Sequence, residues 1–286
     1  MTSVADSTVL LDVAKEAALA VETQLCAAFR STMAFDYKRD LHDIVTEHDR
    51  ASEQEIVSVI TRHVPDSTII GEEGGRQGDG SVVWMVDPID GTTNFARGIA
   101  YWCVSIAAVI SGRIVAGVIY DPVAKNMFCA DLGGAWLNGV PLRANAVADE
   151  HKAVLLSSFP NPRHLKDFGE RALAAQVELL NSLLAIRNLG SGALQLAHVA
   201  AGWADATLGF STNPWDVAAG MLILEQAGGR YEGLDGGSSS APAFLAPDYL
   251  AVGAGANYPT LDRVTRAMSG SQAAPRKEKE DALWRL

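Results

Sequence analysis

The sequence lacks the features that mark several large protein classes. It has three cysteines in 286 residues, with no CxxC pair and no zinc-ligand spacing, so neither a disulfide framework nor a structural zinc site is expected. No apolar run approaches the roughly 20 residues that a transmembrane helix needs, and we expect no membrane partner. Residues 1–20 carry acidic side chains and no basic segment, which is not the pattern of a signal peptide, so we expect a cytoplasmic protein.

Positive charge is also scarce in this chain. It has 23 Lys and Arg against 34 Asp and Glu, which gives a net charge of −11. Surfaces that bind nucleic acid need clustered Lys and Arg, so we expect no nucleic-acid partner. An acidic protein can still bind a phosphate ester when metal ions supply positive charge locally.

Several common catalytic motifs are missing as well. The sequence has no GxSxG elbow and no Walker A loop with its lysine, which argues against a serine hydrolase and a P-loop enzyme. The stretch GSGALQ lacks the third glycine of the dinucleotide fingerprint GxGxxG. A nicotinamide-dependent redox role is therefore not supported.

The apolar content of 48% and the charged content of 20% are typical of a soluble globular protein. Apolar periodicity predicts a helix over residues 8–33 and a second helix after DIVTEHD, with Ile56, Val59 and Ile60 on its buried face. STIIG and SVVWMVD are predicted strands. Residues 100–143, with a hairpin turn at LNGV, predict an antiparallel meander.

Strand and helix patterns alternate in the second half of the chain, with predicted helices over 165–184 and 215–227. Such alternation favours an α/β layered arrangement. We therefore predict an N-terminal α+β half over 1–148 with an antiparallel sheet, a C-terminal α/β half over 149–268, and a polar tail over 269–286.

Acidic residues cluster at the predicted ends of these elements, where active sites commonly collect. The clusters are Asp49 in DIVTEHD, Glu72 and Glu73 in IIGEEGG, Asp87 and Asp90 in VDPIDGTTNF, and Asp216 in NPWDVAAG. Each has an ordinary structural interpretation when taken alone. A Glu-Glu pair before glycines is typical of a solvated loop tip, and an Asp at a helix start is typical of an N-cap.

The stretch DPIDGTTNF is harder to explain by structure alone. Pro88 fixes the backbone between two carboxylates, Gly91 permits an unusual turn, and Thr92 and Thr93 are placed to open a helix. Carboxylates beside a helix N-terminus form a site for a hard cation next to a site for an anion. Mg²⁺ prefers oxygen ligands and is often shared with substrate phosphates, and a pair of ions can promote in-line displacement at phosphorus.

The motifs IIGEEGG, WMVDPIDGTTNF and NPWDVAAGMLILEQAGG, in this order, resemble those of the inositol monophosphatase family. This family consists of Mg²⁺-dependent, Li⁺-sensitive phosphatases, and its superfamily includes fructose-1,6-bisphosphatase. Lys38 ahead of DIVTEHD and the stretch GSGALQLAHVAAGWADA extend the resemblance, which spans about residues 10–255. It implies a mixed α/β (α+β) fold, a layered α-β-α-β-α sandwich of the sugar-phosphatase type, and a homodimer.

The resemblance also implies a set of metal ligands. Glu72, Asp87 and the carbonyl of Ile89 would hold a first, activating Mg²⁺. Asp87, Asp90 and Asp216 would hold a second ion that stabilises the leaving group. A third, mostly hydrated ion would lie near Glu72, so the expected cofactor is two to three Mg²⁺ ions.

By the same resemblance, Glu72 and the Thr92–Asp49 pair would act in catalysis, with Thr92 orienting the nucleophilic water. The N–H groups of Gly91 and Thr92 would hold the phosphate of a small-molecule ester.

Four further residues have roles implied by the resemblance. Ser191 and Gly192 would line the alcohol half of the substrate. Glu73 and Lys38 would support the metal ligands from behind.

One position departs from the family pattern. In members that hydrolyse inositol and many sugar phosphates, a glutamate seven residues before the WD aspartate contacts ring hydroxyls, and here that position is Gly209. This puts myo-inositol 1-phosphate in doubt as the substrate. The residues that could contact the leaving group instead are Asn213, Thr212, Arg187 and Asn161.

The expected function is a Mg²⁺-dependent phosphomonoesterase that hydrolyses a small polyol, sugar or related metabolite phosphate. Other branches of the superfamily share the metal motifs and stay open, namely histidinol-phosphate phosphatase, fructose-1,6-bisphosphatase and a 3′-phosphoadenosine-type nucleotidase. A different class, a non-catalytic protein that binds metal or phosphate on this fold, is the further alternative.

Overall fold

The computed structural model describes residues 3–38, 44–235 and 241–269. Its α-helices are α1 (Val4–Ala20), α2 (Glu22–Ala28), α3 (Glu47–His63), α4 (Thr92–Arg97), α5 (Pro162–Phe168), α6 (Glu170–Ser182), α7 (Gly192–Ala200), α8 (Pro214–Gln226) and α9 (Pro259–Ser269). In these described residues no helix combines the length and the apolar character that crossing a bilayer would require.

The strands fall into three sheets. They are β1 (Phe35–Tyr37), β2 (Ile44–Thr46), β3 (Ser67–Gly71), β4 (Gly75–Gln77), β5 (Val82–Asp90), β6 (Cys103–Ile110), β7 (Arg113–Asp121), β8 (Asn126–Asp131), β9 (Gly134–Leu137), β10 (Val140–Pro141), β11 (Val154–Leu156), β12 (Ala185–Arg187), β13 (Ala206–Gly209), β14 (Arg230–Leu234) and β15 (Asp248–Val252). β1 and β2 form a two-stranded antiparallel sheet. The eight-stranded sheet has the order β10-β9-β8-β7-β6-β5-β3-β4, and the five-stranded sheet has the order β12-β11-β13-β15-β14.

The two large sheets and the helices stack in five layers. α1 and α3 pack on the outer face of the eight-stranded sheet, and α7 and α8 lie between the two sheets. α5, α6 and α9 cover the outer face of the five-stranded sheet, where Phe168, Leu179 and Leu261 share one apolar cluster with Leu155 and Leu250. This order is the α-β-α-β-α sandwich that the family resemblance implied.

The eight-stranded sheet explains its own apolar sequence. Helices cover both of its faces, so β5 and β6 are buried along nearly their whole length and show apolar runs rather than alternation. The predicted meander over residues 100–143 is confirmed as β6 to β10, each antiparallel to the next. The central helices join the two halves, since α8 packs on β5, β6 and β7. The division at residues 148 and 149 stays a prediction, and residues 270–286 of the predicted tail lie outside the described residues.

Three predicted helix boundaries were wrong. The single helix expected over 8–33 is two helices, which end at Ala20 and at Ala28. The helix expected over 165–184 is interrupted at Gly169. The second predicted helix begins at Glu47, inside DIVTEHD rather than after it. Thr46 is its N-cap and Asp49 its reciprocal partner, which form a capping box that starts the helix two residues before Asp49.

Testable prediction for the fold. The indole N–H of buried Trp84 donates to the hydroxyl of Ser67 at 3.0 Å, and this hydroxyl donates to the Val64 carbonyl at 2.6 Å. Ser67→Ala removes both bonds and leaves a buried N–H without its partner, so the free energy of unfolding should fall by about 1–3 kcal/mol. Urea denaturation measures this change. The control Ser58→Ala, on the exposed side of α3, should change it by less than about 0.5 kcal/mol, and an equal effect of both variants would contradict the account.

Candidate active site

A β-bulge brings Asp87 and Asp90 to the same place. Side chains three positions apart on a regular strand point to opposite faces. β5 pairs Asp87 with Ser105 and Asp90 with Cys103, so β5 advances three residues while β6 advances two. The extra residue restores the alternation, and both carboxylates face one cavity. Pro88 suits the bulge because it has no N–H to donate to the neighbouring strand.

The parallel pairing of β3 and β5 adds a third carboxylate. Gly71 at the end of β3 pairs with Val86 of β5, and the N–H of Glu72 donates to the Val86 carbonyl at 3.1 Å. Glu72 therefore leaves the sheet at the edge from which Asp87 also emerges. The carboxyl ends of neighbouring parallel strands lie side by side, which explains why two acidic motifs 15 residues apart in sequence converge.

The turn after β5 has the backbone geometry that the sequence predicted. Gly91 has φ +97° and ψ 37°, a left-handed conformation, and a Cβ there would lie 3.1 Å from the Tyr101 carbonyl oxygen. Thr92 then begins α4. Its hydroxyl lies 3.0 Å from the Ile89 carbonyl and 3.1 Å from Asp49 Oδ1. The predicted contact between Thr92 and Asp49 is thus present in the structure.

Asp49 reaches this position from α3, where it is buried. Its Oδ2 accepts hydrogen bonds from the backbone N–H of Thr46 at 2.8 Å and from the Thr46 hydroxyl at 2.6 Å, so its other oxygen faces Thr92. One carboxylate therefore caps a helix and also holds a hydroxyl of the candidate site.

Residues at the start of α7 hold Asp90. Its Oδ2 accepts from the Ser191 hydroxyl and from the Ala193 N–H, both at 2.6 Å. Ser191 is buried at 1% exposure and lies behind Asp90, whereas Gly192 lines the cavity. The loop before α7 was predicted to contact the substrate, and its Ser191 contacts the carboxylate of Asp90.

Asp216 arrives from the far half of the chain on the first turn of α8. Asn213 is the N-cap of this helix, so the interpretation of Asp216 as the N-cap was wrong. Asp216 is instead the third helical residue, and its Oδ2 accepts from the Asn213 N–H at 2.8 Å. The Ser105 hydroxyl donates to the Trp215 carbonyl at 3.0 Å and ties this helix start to β6.

These groups line one cavity of about 290 Å³. Its predicted residues are Lys38, Glu72, Asp87, Ile89, Asp90, Gly91, Thr92, Gly192 and Asp216. Asp49, Glu73 and Ser191 lie behind this wall. Sequence reasoning missed Arg163, Ser211 and Tyr249, which also line the cavity and belong to no motif that signalled them.

Burial and mutual repulsion dominate the electrostatics of the cavity. Burial raises the pKa of Asp87 well above its ordinary value, and the charges of Glu72 and Asp90 raise it further. Burial likewise raises the pKa of Asp90 to about 6, although the Ser191 hydroxyl opposes the shift. The pKa of Asp216 is raised by burial and by Glu72. The carboxylates therefore destabilise one another's charged forms.

Lys38 is a cation that contacts the acidic wall of the cavity. Its ammonium donates to Glu72 Oε1 at 2.8 Å and also bonds Glu73. Burial lowers the pKa of Lys38, but the charges of Glu72 and Glu73 outweigh burial, and the net shift is upward. Lys38 therefore stays protonated and partly balances the carboxylates.

As the side chains stand, no three His, Cys, Asp or Glu residues among 3–38, 44–235 and 241–269 are placed to hold one metal ion. The hydrogen bonds give a physical reason for this. Lys38 draws Glu72 toward itself, Ser191 binds Asp90, and the Asn213 backbone binds Asp216. Convergence on an ion therefore requires these side chains to turn toward it.

The position that departs from the family pattern is closed to a side chain. A Cβ on Gly209 would collide with the Tyr249 ring and lie 2.9 Å from Thr212 Cγ2. Tyr249 is 1% exposed and stacks on Tyr231, with ring centroids 5.1 Å apart. An aromatic ring thus borders the cavity at this place. Of the other suggested contacts, Thr212 and Asn213 line the same cavity, and Asn161 lines a neighbouring one of about 590 Å³.

Known proteins share both the fold and the sequence pattern. The chain is 39% identical over 208 residues to a protein of Pasteurella multocida named Nus factor SuhB, a match that covers 70% of this chain and 76% of that protein. The inositol monophosphatase of Anabaena (Nostoc) superposes with a TM-score of 0.74 at 33% identity, over 91% of this chain and 94% of its own. The IMPase of Thermotoga maritima gives a TM-score of 0.77 at 30% identity, over 90% and 96%.

A model of the inositol monophosphatase family matches residues 6–271, which include every acidic motif of the cavity. Together with the sandwich fold, this match shows that the chain belongs to the inositol monophosphatase family.

Proposed function

We propose that the protein is a Mg²⁺-dependent phosphomonoesterase that hydrolyses a small polyol, sugar or related metabolite phosphate. The observation that carries this proposal is the set of four carboxylates that line one cavity, Glu72, Asp87, Asp90 and Asp216. Like charges that are buried or half-buried in one cavity are costly unless they are paired or coordinate metal. All the donors are oxygens, which suits Mg²⁺.

The family pattern assigns these oxygens to the ions. Glu72, Asp87 and the Ile89 carbonyl would hold the first ion, and Asp87, Asp90 and Asp216 would hold the second, once the side chains turn toward the ions. A third, mostly hydrated ion would lie near Glu72. When bound, such ions supply charge that lowers the pKa of a water molecule and stabilises the leaving oxygen.

The side chains around the ions orient the reactants. The Thr92 hydroxyl already lies 3.1 Å from Asp49 Oδ1, so it can hold the attacking water and pass the water's proton toward Asp49. Gly91 and Thr92 line the cavity, where their N–H groups would hold the phosphate oxygens. Gly192 lets the alcohol half approach the backbone at the start of α7.

The supporting residues keep the ligands in position. Ser191 fixes one oxygen of Asp90, and Lys38 with Glu73 forms an ion-pair group around Glu72. Partners that hydrogen-bond metal ligands commonly determine metal affinity nearly as much as the ligands do.

The alcohol half of the substrate meets a different wall from the one that the family glutamate would provide. The Tyr249 ring borders Gly209, and Ser211 and Thr212 line the same cavity. We infer a substrate other than myo-inositol 1-phosphate. Histidinol phosphate, fructose 1,6-bisphosphate and 3′-phosphoadenosine 5′-phosphate stay as alternatives within the superfamily.

We expect a cytoplasmic homodimer that Li⁺ inhibits, with a small-molecule ester as its partner and with neither membrane nor nucleic acid. The relative from Pasteurella multocida is named a Nus factor, so a non-catalytic role is the alternative of a different class. The presence of Thr92 beside Asp49 favours catalysis, because binding alone does not need a group that orients water.

Testable prediction for metal-dependent turnover. Asp90→Asn removes one of the negative charges that would bind the second ion, so phosphate release with Mg²⁺ should fall by at least about 100-fold. The assay covers inositol 1-phosphate, glycerol 2-phosphate, histidinol phosphate, fructose 1,6-bisphosphate and 3′-phosphoadenosine 5′-phosphate, each with Mg²⁺ and with EDTA. The control Asp79→Asn changes an exposed residue outside the cavity and should leave turnover unchanged.

Two outcomes of this assay would count against a phosphatase. Turnover that does not require Mg²⁺ would contradict the proposed role of the metal ions. A parent protein that binds Mg²⁺ yet releases phosphate from none of the five esters would favour the non-catalytic role.

Testable prediction for the water-orienting pair. Thr92→Ala removes the hydroxyl but keeps the backbone N–H groups, so kcat should fall by about 10²–10⁴-fold with little change in KM. The control Thr93→Ala alters the next hydroxyl, which is exposed on the same helix, and should retain kcat. Steady-state kinetics on the best substrate of the panel measures both. Equal kcat values for Thr92→Ala and the parent would exclude the assigned role.

Testable prediction for the Gly209 wall. Gly209→Ala should lower the free energy of unfolding by about 1–3 kcal/mol, because its Cβ meets the Tyr249 ring. In a Tyr249→Leu background the same change should cost less, with a coupling of about 0.5–3 kcal/mol in urea denaturation. Strict additivity of the two substitutions would show that Tyr249 does not occupy this space.

A further inference from the structure

Glu53 is a buried acidic residue that the acidic motifs did not include. It lies on α3 four residues after Asp49, so both side chains lie on one face of the helix, one turn apart. Glu53 is 3% exposed and Asp49 is 1% exposed. A carboxylate at this depth requires partners, and those of Glu53 lie in the turn that carries Glu72 and Glu73.

Two backbone donors bind the Glu53 carboxylate. The N–H of Glu73 donates to Oε2 at 2.9 Å, and the N–H of Gly74 donates to Oε1 at 2.6 Å. Both oxygens are thus used, one for each of two consecutive peptide groups. Hydrogen bonds to an ionised acceptor are shorter and stronger than those between neutral groups, and two such bonds to one carboxylate fix the orientation of the turn.

The glycines of IIGEEGG show how closely the turn fits this carboxylate. A Cβ on Gly71 would collide with the Glu53 carboxyl group, and a Cβ on Gly74 would lie 2.6 Å from Oε1. Gly75, by contrast, has φ +63° and needs glycine for its backbone conformation. Two of the three glycines in this motif therefore make room for Glu53.

The position of this turn determines where two functional carboxylates point. Glu72 faces the cavity beside Asp87, and the Glu73 side chain meets Lys38. One turn earlier on α3, Asp49 accepts a hydrogen bond from the Thr92 hydroxyl. A single helix thereby connects the Glu72 side of the cavity with the Thr92 side.

We propose that Glu53 is a positioning residue for the metal site, which holds the turn after β3 so that Glu72 is presented to the ions. Through Asp49 and Glu53, α3 sets the separation between Thr92 and Glu72. This inference rests on the proposed function, because it assigns Glu53 a role in binding the proposed Mg²⁺ ions.

The test replaces the carboxylate by its closest uncharged analogue, Glu53→Gln. A carboxamide offers one acceptor oxygen, so one of the two N–H donors faces an NH₂ group instead. The Kd for Mg²⁺, measured by calorimetry on the folded protein, should rise by about 10-fold or more. The Mg²⁺ concentration for half-maximal phosphate release should rise in parallel, while kcat at saturating Mg²⁺ stays within about threefold of the parent value, because Thr92 and the phosphate site are unchanged.

Two further variants make the result decisive. Glu55→Gln makes the same chemical change on the exposed side of α3 and should leave the Kd unchanged. Gly74→Ala intrudes on the same carboxylate from the other side and should raise the Kd as Glu53→Gln does. If Glu53→Gln fails to fold by circular dichroism, Gly74→Ala carries the test.

The outcomes separate this inference from the proposed function. A Kd within twofold of the parent value in folded Glu53→Gln or Gly74→Ala, even with a lower Tm, would make Glu53 a purely structural residue and overturn the inference. A parent protein that binds no Mg²⁺ in the same calorimeter would overturn the proposed function itself, and the assignment of Glu53 with it.

Discussion

The repulsion among buried and half-buried carboxylates is the constraint around which the site is built. Glu72, Asp87, Asp90 and Asp216 line one cavity, and burial with mutual charge raises the pKa values of the last three. The protein keeps these groups together by hydrogen-bonding them separately, to an ammonium, a hydroxyl and backbone N–H groups. Each bond offsets part of the cost of burial. The remaining cost favours a ligand that carries concentrated positive charge, and bound ions are often the largest charges in such sites.

The layered fold explains how residues 144 positions apart in sequence reach this cavity. β3 and β5 run parallel inside a sheet that is otherwise antiparallel, so Glu72 and Asp87 emerge at one edge. The two central helices begin beside that edge, with Gly192 on α7 and Asp216 on α8. α3, on the opposite face, contributes Asp49. Each layer around the eight-stranded sheet thus supplies part of the site.

Much of the arrangement was predictable from residue types, and some of it was not. The acidic motifs signalled their own positions because Pro88 restricts the backbone between the carboxylates and Gly91 permits the left-handed turn after them. The bulge that turns Asp90 to the side of Asp87 was not predictable, because it depends on how β5 pairs with β6, which begins 13 residues after β5 ends. The place of Tyr249 at the cavity was not predictable from the sequence, since an aromatic residue in a buried strand usually belongs to the core. The structure shows that its ring lies beside Gly209. The start of α3 was misplaced because the helix was expected only after DIVTEHD, whereas Thr46 and Asp49 within that stretch form a capping box.

The central claim is that these carboxylates exist to bind metal ions, and a crystal structure with Mn²⁺ in place of Mg²⁺ tests it most directly. Anomalous scattering identifies Mn²⁺ independently of the side-chain positions. The account predicts anomalous peaks within about 2.3 Å of carboxylate oxygens of Asp87 and Asp90, with Glu72 turned from Lys38 toward an ion. Density with no anomalous peak in the cavity, and with Glu72 still bound to Lys38, would contradict it.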